Sequence, residues 1–155
     1  MSTASPHRVL GWLLIVAGVV GVVTGVLPLA INGMRVVLGH DPLNAGDTAS
    51  HGVEAMGLSV EWAMLSSAMG TFLGILLLWA GYGCLRQHES ARLVTWIYVL
   101  GGLMVNVPDM LIFVFGATPG PMRTRMLILD GIATVFPVVV ATWLLCLRRQ
   151  AATGR

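Results

Sequence analysis

Four long apolar runs, separated by polar segments, dominate the hydropathy pattern of this chain. They cover residues 9–31, 62–84, 93–115 and 126–147. At a rise of about 1.5 Å per residue, a helix of this length crosses a hydrocarbon core of about 30 Å. The pattern therefore predicts an all-α polytopic membrane protein. Residues 1–155 would form one four-transmembrane-helix bundle, with residues 32–60 as an external loop.

The composition excludes other broad classes of protein. Charged residues make up only 10% of the sequence, against about 25% in an ordinary soluble domain. Hydrophobic residues make up 56%, and the mean hydropathy is +0.83. A small soluble domain needs more polar surface than this, and a disordered chain is poorer in apolar residues. The net charge of +2 forms no basic stripe along a helix, so no nucleic-acid partner is predicted.

The distribution of arginine predicts the orientation of the spans, because cytoplasmic loops are rich in basic residues. Four spans place both termini on the same side of the membrane. Six of the nine basic residues lie on that side: Arg8, Arg86, Arg92, Arg148, Arg149 and Arg155. The other three lie on the opposite side: Arg35, Arg123 and Arg125. The bias predicts that both termini are cytoplasmic.

Small residues recur at every fourth position in the first two spans. They are Ala17, Gly21 and Gly25 in the first span, and Ser66, Gly70 and Gly74 in the second. Such ridges let two helix backbones approach closely. We expect spans one and two to pack along these ridges, and a homodimer face is the alternative.

Two acidic residues interrupt the apolar spans, Asp109 in the third and Asp130 in the fourth. Counted from the arginines at the inner helix ends, they lie about 25 Å and about 27 Å along their helices. Their carboxylates are therefore expected to be level, just below the outer surface, where an ionisable group is costly and marks a functional site by default. With nearby polar side chains they form the candidate ligand-binding pocket: Asp109, Asp130, Asn106, Glu61, Ser66 and Ser67.

Two interpretations of the acid pair follow from its chemistry. Two close carboxylates cannot both ionise cheaply, so one would keep a proton. That arrangement suits acid–base work, or the binding of a cationic or hydroxylated ligand. The acids can instead belong to an ion-pair network with Arg35, Arg123 or Arg125, because charges inside membranes usually pair.

A metal site is a third interpretation, with His51, Glu54 and Glu61 as weak candidate ligands. Their spacing matches no known ligand motif, although residues 51–61 are expected to form a helix that runs into the second span. The sequence carries no nucleotide-binding, hydrolase or metalloprotease motif. We therefore predict no catalytic residue and no cofactor, and we favour a protein that is not an enzyme.

Three short features accompany the four-span plan: Val60-Glu61-Trp62 before the Ser66, Gly70 and Gly74 ridge, Gly101-Gly102 within span three, and the turn Thr118-Pro119-Gly120-Pro121. In these features the chain resembles the small bacterial four-helix membrane proteins of the DoxX type and related uncharacterised families. The resemblance implies a multi-pass protein of the bacterial cytoplasmic (inner) membrane. Some relatives are thought to be accessory subunits of quinone-linked or redox membrane complexes, which implies a subunit role and no particular site residue.

The sequence thus favours an accessory or scaffold subunit of a larger bacterial inner-membrane complex, without chemistry of its own. Its expected partners are the lipid bilayer and either other membrane subunits or further copies of the chain in a homo-oligomer. The alternative is a binder or enzyme for a small lipophilic molecule that uses an outward-opening polar pocket at Asp109 and Asp130. Contacts between arginine and aspartate would favour the subunit, whereas an unpaired acid pair beside a cavity would favour the binder.

Overall fold

Four helices, each antiparallel to the next, make up the part of the protein that the structure describes. This computed structural model describes residues 6–38, 57 and 59–153. The helices are α1 (Pro6–Leu38), α2 (Val60–Leu85), α3 (Ser90–Phe115) and α4 (Pro121–Thr153). Each contains a segment that is long and apolar enough to cross a membrane. The predicted all-α fold with four such helices is confirmed.

The first helix continues past the end of its apolar run. α1 ends at Leu38 rather than near Ile31, so the first part of the predicted external loop is helical. Hydropathy marks where apolar residues stop, which is a different place from where the helical hydrogen bonds stop. Residues 39–56 and 58, which include the rest of that loop, lie outside the described residues.

The second helix begins at a defined cap. The backbone of Ser59 is extended, with φ −77° and ψ 147°, and its hydroxyl accepts a hydrogen bond from the backbone N–H of Trp62 at 3.2 Å. A serine here satisfies one of the free N–H groups of the first helical turn. The expected continuous helix over residues 51–61 is therefore wrong at its end, because Ser59 separates α2 from whatever precedes it.

Tight turns join the last three helices. Between α2 and α3, Gln87 adopts a left-handed conformation with φ 55°. After α3, the N–H of Gly116 donates to the carbonyl of Ile112 at 2.7 Å. Pro121 then opens α4, at a position where its missing N–H would have had no helical partner. These short reversals make α2, α3 and α4 run antiparallel to one another.

The most extensive helix contact, between α1 and α2, runs along glycines. A Cβ atom on Gly25 would lie 2.8 Å from the backbone nitrogen of Thr71, and one on Gly74 would lie 2.7 Å from that of Val22. Only residues without a side chain allow backbones to come this close. The structure thus packs the first two helices against each other, as the small residues predict.

Two positions of the predicted ridge on α2 do not face α1. No atom of another helix would lie within 4 Å of a Cβ on Gly70, and Ser66 forms a hydrogen bond to Asp109 on α3. Their assignment to the close contact is wrong, because a repeat of four defines one face of a helix but not the neighbour that it meets. Glycines outside the repeat extend the contact: Gly11, Gly18 and Gly81.

The apolar core lies at one end of the bundle, where α1 and α3 begin and α2 and α4 end; we call this the termini end. All four helices contribute to it, through residues such as Leu14, Leu77, Tyr98 and Val140. Within the described residues, extensive contacts nevertheless join only helices that are consecutive in the chain. The opposite end of the bundle, where α1 and α3 end and α2 and α4 begin, is the loop end.

Large apolar side chains also cover the outside of the bundle. Four examples are each at least 60% exposed: Trp12 on α1, Leu100 and Met104 on α3, and Ile132 on α4. Monomeric soluble proteins rarely expose contiguous apolar patches of more than a few hundred Å². The outer surface has the character expected of helices that face lipid.

Candidate functional site at the loop end

Asp109 and Asp130 lie opposite each other at the loop end. Nearby, Asn106 on α3 donates from Nδ2 to the carbonyl oxygen of Ala133 on α4 at 2.9 Å. Asp109 is three residues further along α3, and Asp130 is three residues back along α4. Because the two helices are antiparallel, equal steps in opposite directions lead to the same level. Two carboxylates at one level on neighbouring helices repel each other when both are ionised.

Asp109 is almost completely buried, with 6% of its surface exposed. Its Oδ2 accepts a hydrogen bond from the hydroxyl of Ser66 on α2. Its Oδ1 is buried as well but has no hydrogen-bond partner. Leaving a buried acceptor without a donor costs about 1–3 kcal/mol, and more for a charged group. The carboxylate of Asp109 therefore lacks a hydrogen-bond donor at Oδ1.

Asp130 is half-buried and forms the more accessible side of the site. Its Oδ2 is buried without a hydrogen-bond partner. The large, exposed apolar residues of α4 in this region, Leu129, Ile132 and Val135, lie on other faces of the helix. The carboxylate of Asp130 is therefore turned away from the exposed apolar face of α4.

Arg123 does not neutralise the acids. Its Nε donates to the carbonyl oxygen of Phe113 at 2.8 Å, and its Nη2 donates to that of Val114 at 2.5 Å. These are among the last carbonyls of α3, where a cation is favoured by the helix dipole. The expected pairing of Arg123 with Asp130 is therefore wrong. The side chain of Arg35, another predicted partner, lies outside the part of the chain that the structure describes.

Arg125 is exposed, and among the described side chains no arginine forms an ion pair with either acid. The hydrogen bond from Ser66 is thus the one polar contact made by the carboxylate of Asp109 within this part of the chain. Of the two chemical interpretations of the acid pair, the described geometry favours the one without neutralising arginines.

The remaining predicted pocket residues do not join the acid pair. Glu61 is exposed, and Ser67 lies at the contact with α1, where its carbonyl oxygen would be 2.9 Å from a Cβ on Gly25. His51 and Glu54 lie outside the described residues. Among the residues that are described, no three His, Cys, Asp or Glu side chains are grouped so that they could hold a metal ion.

Trp62 is a further polar residue at the loop end. It is half-buried, and its indole Nε1–H is buried without a hydrogen-bond partner. Trp62 is four residues before Ser66, so the two share a face of α2. The pocket predicted from the sequence does not include Trp62, although its spacing of four residues from Ser66 indicates that the two side chains lie on the same face of α2.

A cavity of about 440 Å³ lies at the other end of the bundle. It is lined by Leu10 and Leu144 and by His88 and Arg92, which lie near the turn between α2 and α3. This is the termini end, so the cavity is separate from the acid pair.

Comparison of the sequence with models of known protein families gave no match, and neither did comparison with curated proteins or with solved structures. The resemblance to the DoxX type therefore stays a prediction, and the function must be argued from the geometry.

Proposed function

We propose that this protein binds a small amphiphilic molecule, whose polar end contacts Asp109 and Asp130 at the loop end. The observation that carries the proposal is the Oδ1 atom of Asp109, a buried carboxylate oxygen without a donor. The other acid of the site, Asp130, also has a buried oxygen without a donor. A ligand that supplies hydrogen-bond donors would satisfy both.

The surroundings of the acid pair support a ligand with an apolar part. Ser66 occupies the α2 side of Asp109, Asp130 is half-buried, and the outer faces of the surrounding helices carry exposed apolar residues. Within the described residues, α1 and α4 make no extensive contact with each other. A molecule dissolved in the outer leaflet could place its polar end at the acids and its apolar part along these faces.

The test is recovery of the bound molecule. Wild type, Asp109→Asn and Asp130→Asn are purified in mild detergent, and native mass spectrometry compares the small molecules that remain attached. Glu61→Gln is the matched control, because it removes an exposed carboxylate near the same end. We expect a molecule that is retained by wild type and by the control but lost from both Asn variants. Equal retention by all four proteins would contradict the proposal.

The stability of Asp109→Asn tests whether an arginine neutralises the pair. In an unpaired site the amide should be tolerated or even stabilising, because it removes like-charge repulsion. If the side chain of Arg35 pairs with Asp109, the substitution strands a buried cation and should be clearly destabilising, by about 3–5 kcal/mol. Thermal unfolding of the purified variant separates the two cases.

We also propose that the four helices span the bacterial cytoplasmic membrane with both termini in the cytoplasm. The excess of arginine at the termini end supports this orientation. Single cysteines are introduced at positions 44 and 152 after Cys84 and Cys146 have been replaced by alanine. A membrane-impermeant thiol reagent should label position 44 in intact spheroplasts and position 152 only after permeabilisation. The reverse pattern would refute the orientation.

A second candidate function is the accessory or scaffold subunit of a larger membrane complex. The packing of the outer helices favours it, because α1 and α4 make no extensive contact with each other in the described part of the chain. A partner helix could lie between them. Crosslinking from position 19 on α1, which is an exposed valine, should then capture a specific membrane protein. Crosslinks to lipid alone would argue against this role.

A further inference from the structure

Resting on the proposed function, we infer that the polar end of the ligand is a primary ammonium group, held by Asp109 Oδ1 and Asp130 Oδ2. The inference begins with the kind of atom that the site leaves unsatisfied. Both of these oxygens are buried without a donor. A bound cation favours the ionised form of both acids, so the proton that one of them would keep in the free protein leaves on binding, and ionised carboxylates only accept hydrogen bonds. A complementary group must therefore donate more than one hydrogen bond.

The charge of the site adds a second requirement. Two ionised acids at one level on neighbouring helices repel each other. Of the described arginines at this end, Arg123 is engaged by the carbonyls of α3 and Arg125 is exposed. Lysine is absent from the sequence. A cation placed between the carboxylates relieves their repulsion, whereas a neutral hydroxyl satisfies one acceptor and leaves the repulsion in place.

An ammonium group fits these requirements better than a metal ion does. Calcium takes about six to eight oxygen ligands and magnesium requires octahedral geometry. The described site has two carboxylates, and the amide nitrogen of Asn106 is already bonded to Ala133. A primary ammonium has three donors, so it can contact both unpartnered oxygens and keep one N–H for a third acceptor.

The site itself goes beyond an accumulation of acidic residues. Only 6% of the surface of Asp109 is exposed, its Oδ1 has no hydrogen-bond partner, and the residue lies at the level of Asp130. Exposed apolar residues on the outer faces of the surrounding helices provide a surface for an alkyl chain. The chemical class of the ligand is therefore a lipophilic primary amine in its protonated form.

The experiment uses the full chain in phosphatidylcholine nanodiscs and follows thermal unfolding as a probe is added. Binding to the folded state raises the melting temperature, which gives a half-saturating probe concentration. The probes are decylammonium, decyltrimethylammonium and decanol. The quaternary amine keeps the charge and the chain but has no N–H donor, and decanol has a donor but no charge. Sodium chloride tests a simple inorganic cation.

We expect decylammonium to half-saturate wild type at a concentration about tenfold or more below that of either other amphiphile. This scale reflects the charge-assisted hydrogen bonds between two charged groups that decylammonium can form and the other two amphiphiles cannot. Asp109→Asn and Asp130→Asn should each weaken its binding by at least about tenfold, whereas Glu61→Gln should bind as wild type does. Asp130 is half-buried, so its variant serves if Asp109→Asn fails to fold.

Three results would overturn the inference. If decyltrimethylammonium binds as well as decylammonium, or if sodium alone raises the melting temperature as much, the site does not require the N–H donors of a primary ammonium. If decanol binds best and its binding needs both acids, the ammonium is refuted while the proposed amphiphile site stands. If no probe distinguishes wild type from the two Asn variants, the inference and the proposed function both fail.

Discussion

Replacing Gly74 by alanine tests the closest helix contact in the bundle. The added Cβ would lie 2.7 Å from the backbone nitrogen of Val22 and 3.0 Å from the carbonyl carbon of Gly21. Both obstacles are backbone atoms of α1, so no side chain can rotate away. The two helices must move apart instead.

The size of the effect follows from that movement. Relaxed contacts between heavy atoms need about 3.5 Å, so α1 and α2 must separate locally by roughly 0.8 Å. A gap of this size forfeits about a quarter to a half of the dispersion energy along the contact. Overpacking typically costs about 1–3 kcal/mol, and a rigid backbone obstacle places this site at about 3 kcal/mol. For a chain of this length, the melting temperature should fall by about 6–12 °C.

Gly70→Ala is the matched control, because it makes the same chemical change one turn away on the same helix. No atom of another helix lies within 4 Å of the new Cβ. Alanine also favours a helix over glycine by up to about 1 kcal/mol, so this variant should melt at or slightly above the wild-type temperature. Intrinsic tryptophan fluorescence during heating in detergent gives the melting temperatures of wild type, Gly74→Ala and Gly70→Ala. If Gly74→Ala melts like wild type, or if both variants fall equally, the close contact is refuted.

Three further substitutions test the loop end. Arg123→Gln should destabilise the protein by about 1.5–3 kcal/mol, because it removes two charge-assisted hydrogen bonds to the carbonyls of α3. Arg125→Gln is the control and should have no effect, because Arg125 is exposed. Equal melting temperatures of the two variants would show that the hydrogen bonds of Arg123 do not stabilise the protein. Asn106→Ala should cost about 0.5–2 kcal/mol through loss of its bond to Ala133, and a change below the precision of chemical unfolding would contradict that bond. Trp62→Phe should leave the melting temperature unchanged or raise it, because it removes a buried N–H that has no hydrogen-bond partner. A clear fall in the melting temperature would mean that this N–H does have a partner in the protein.

The number of helices and the level of the two acids could be predicted because both depend on regular quantities. Apolar runs long enough to span a membrane admit few other structures. The helical rise is constant, so counting residues from the inner ends placed Asp109 and Asp130 at similar heights. The structure shows them at the same level, next to the bond between Asn106 and Ala133.

The rotation of each helix about its axis could not be predicted in the same way. Gly70 and Ser66 share a repeat with Gly74, yet Gly74 meets α1 while Ser66 meets Asp109. Spacing along one helix cannot show which neighbour a face will meet. The partner of Arg123 was missed for a related reason, because the carbonyls that it binds become accessible only where α3 ends in a tight turn.

The order in which the helices meet has a consequence for biosynthesis. Every extensive contact in the described part of the chain joins consecutive helices, so each helix can dock on the one inserted just before it. Local connectivity of this kind favours rapid assembly. The glycine contact between α1 and α2 needs no residue of α3 or α4, so it can form before the later helices are complete. Ser66, which precedes Asp109 in the chain, would then already be in place on α2 when Asp109 is synthesised.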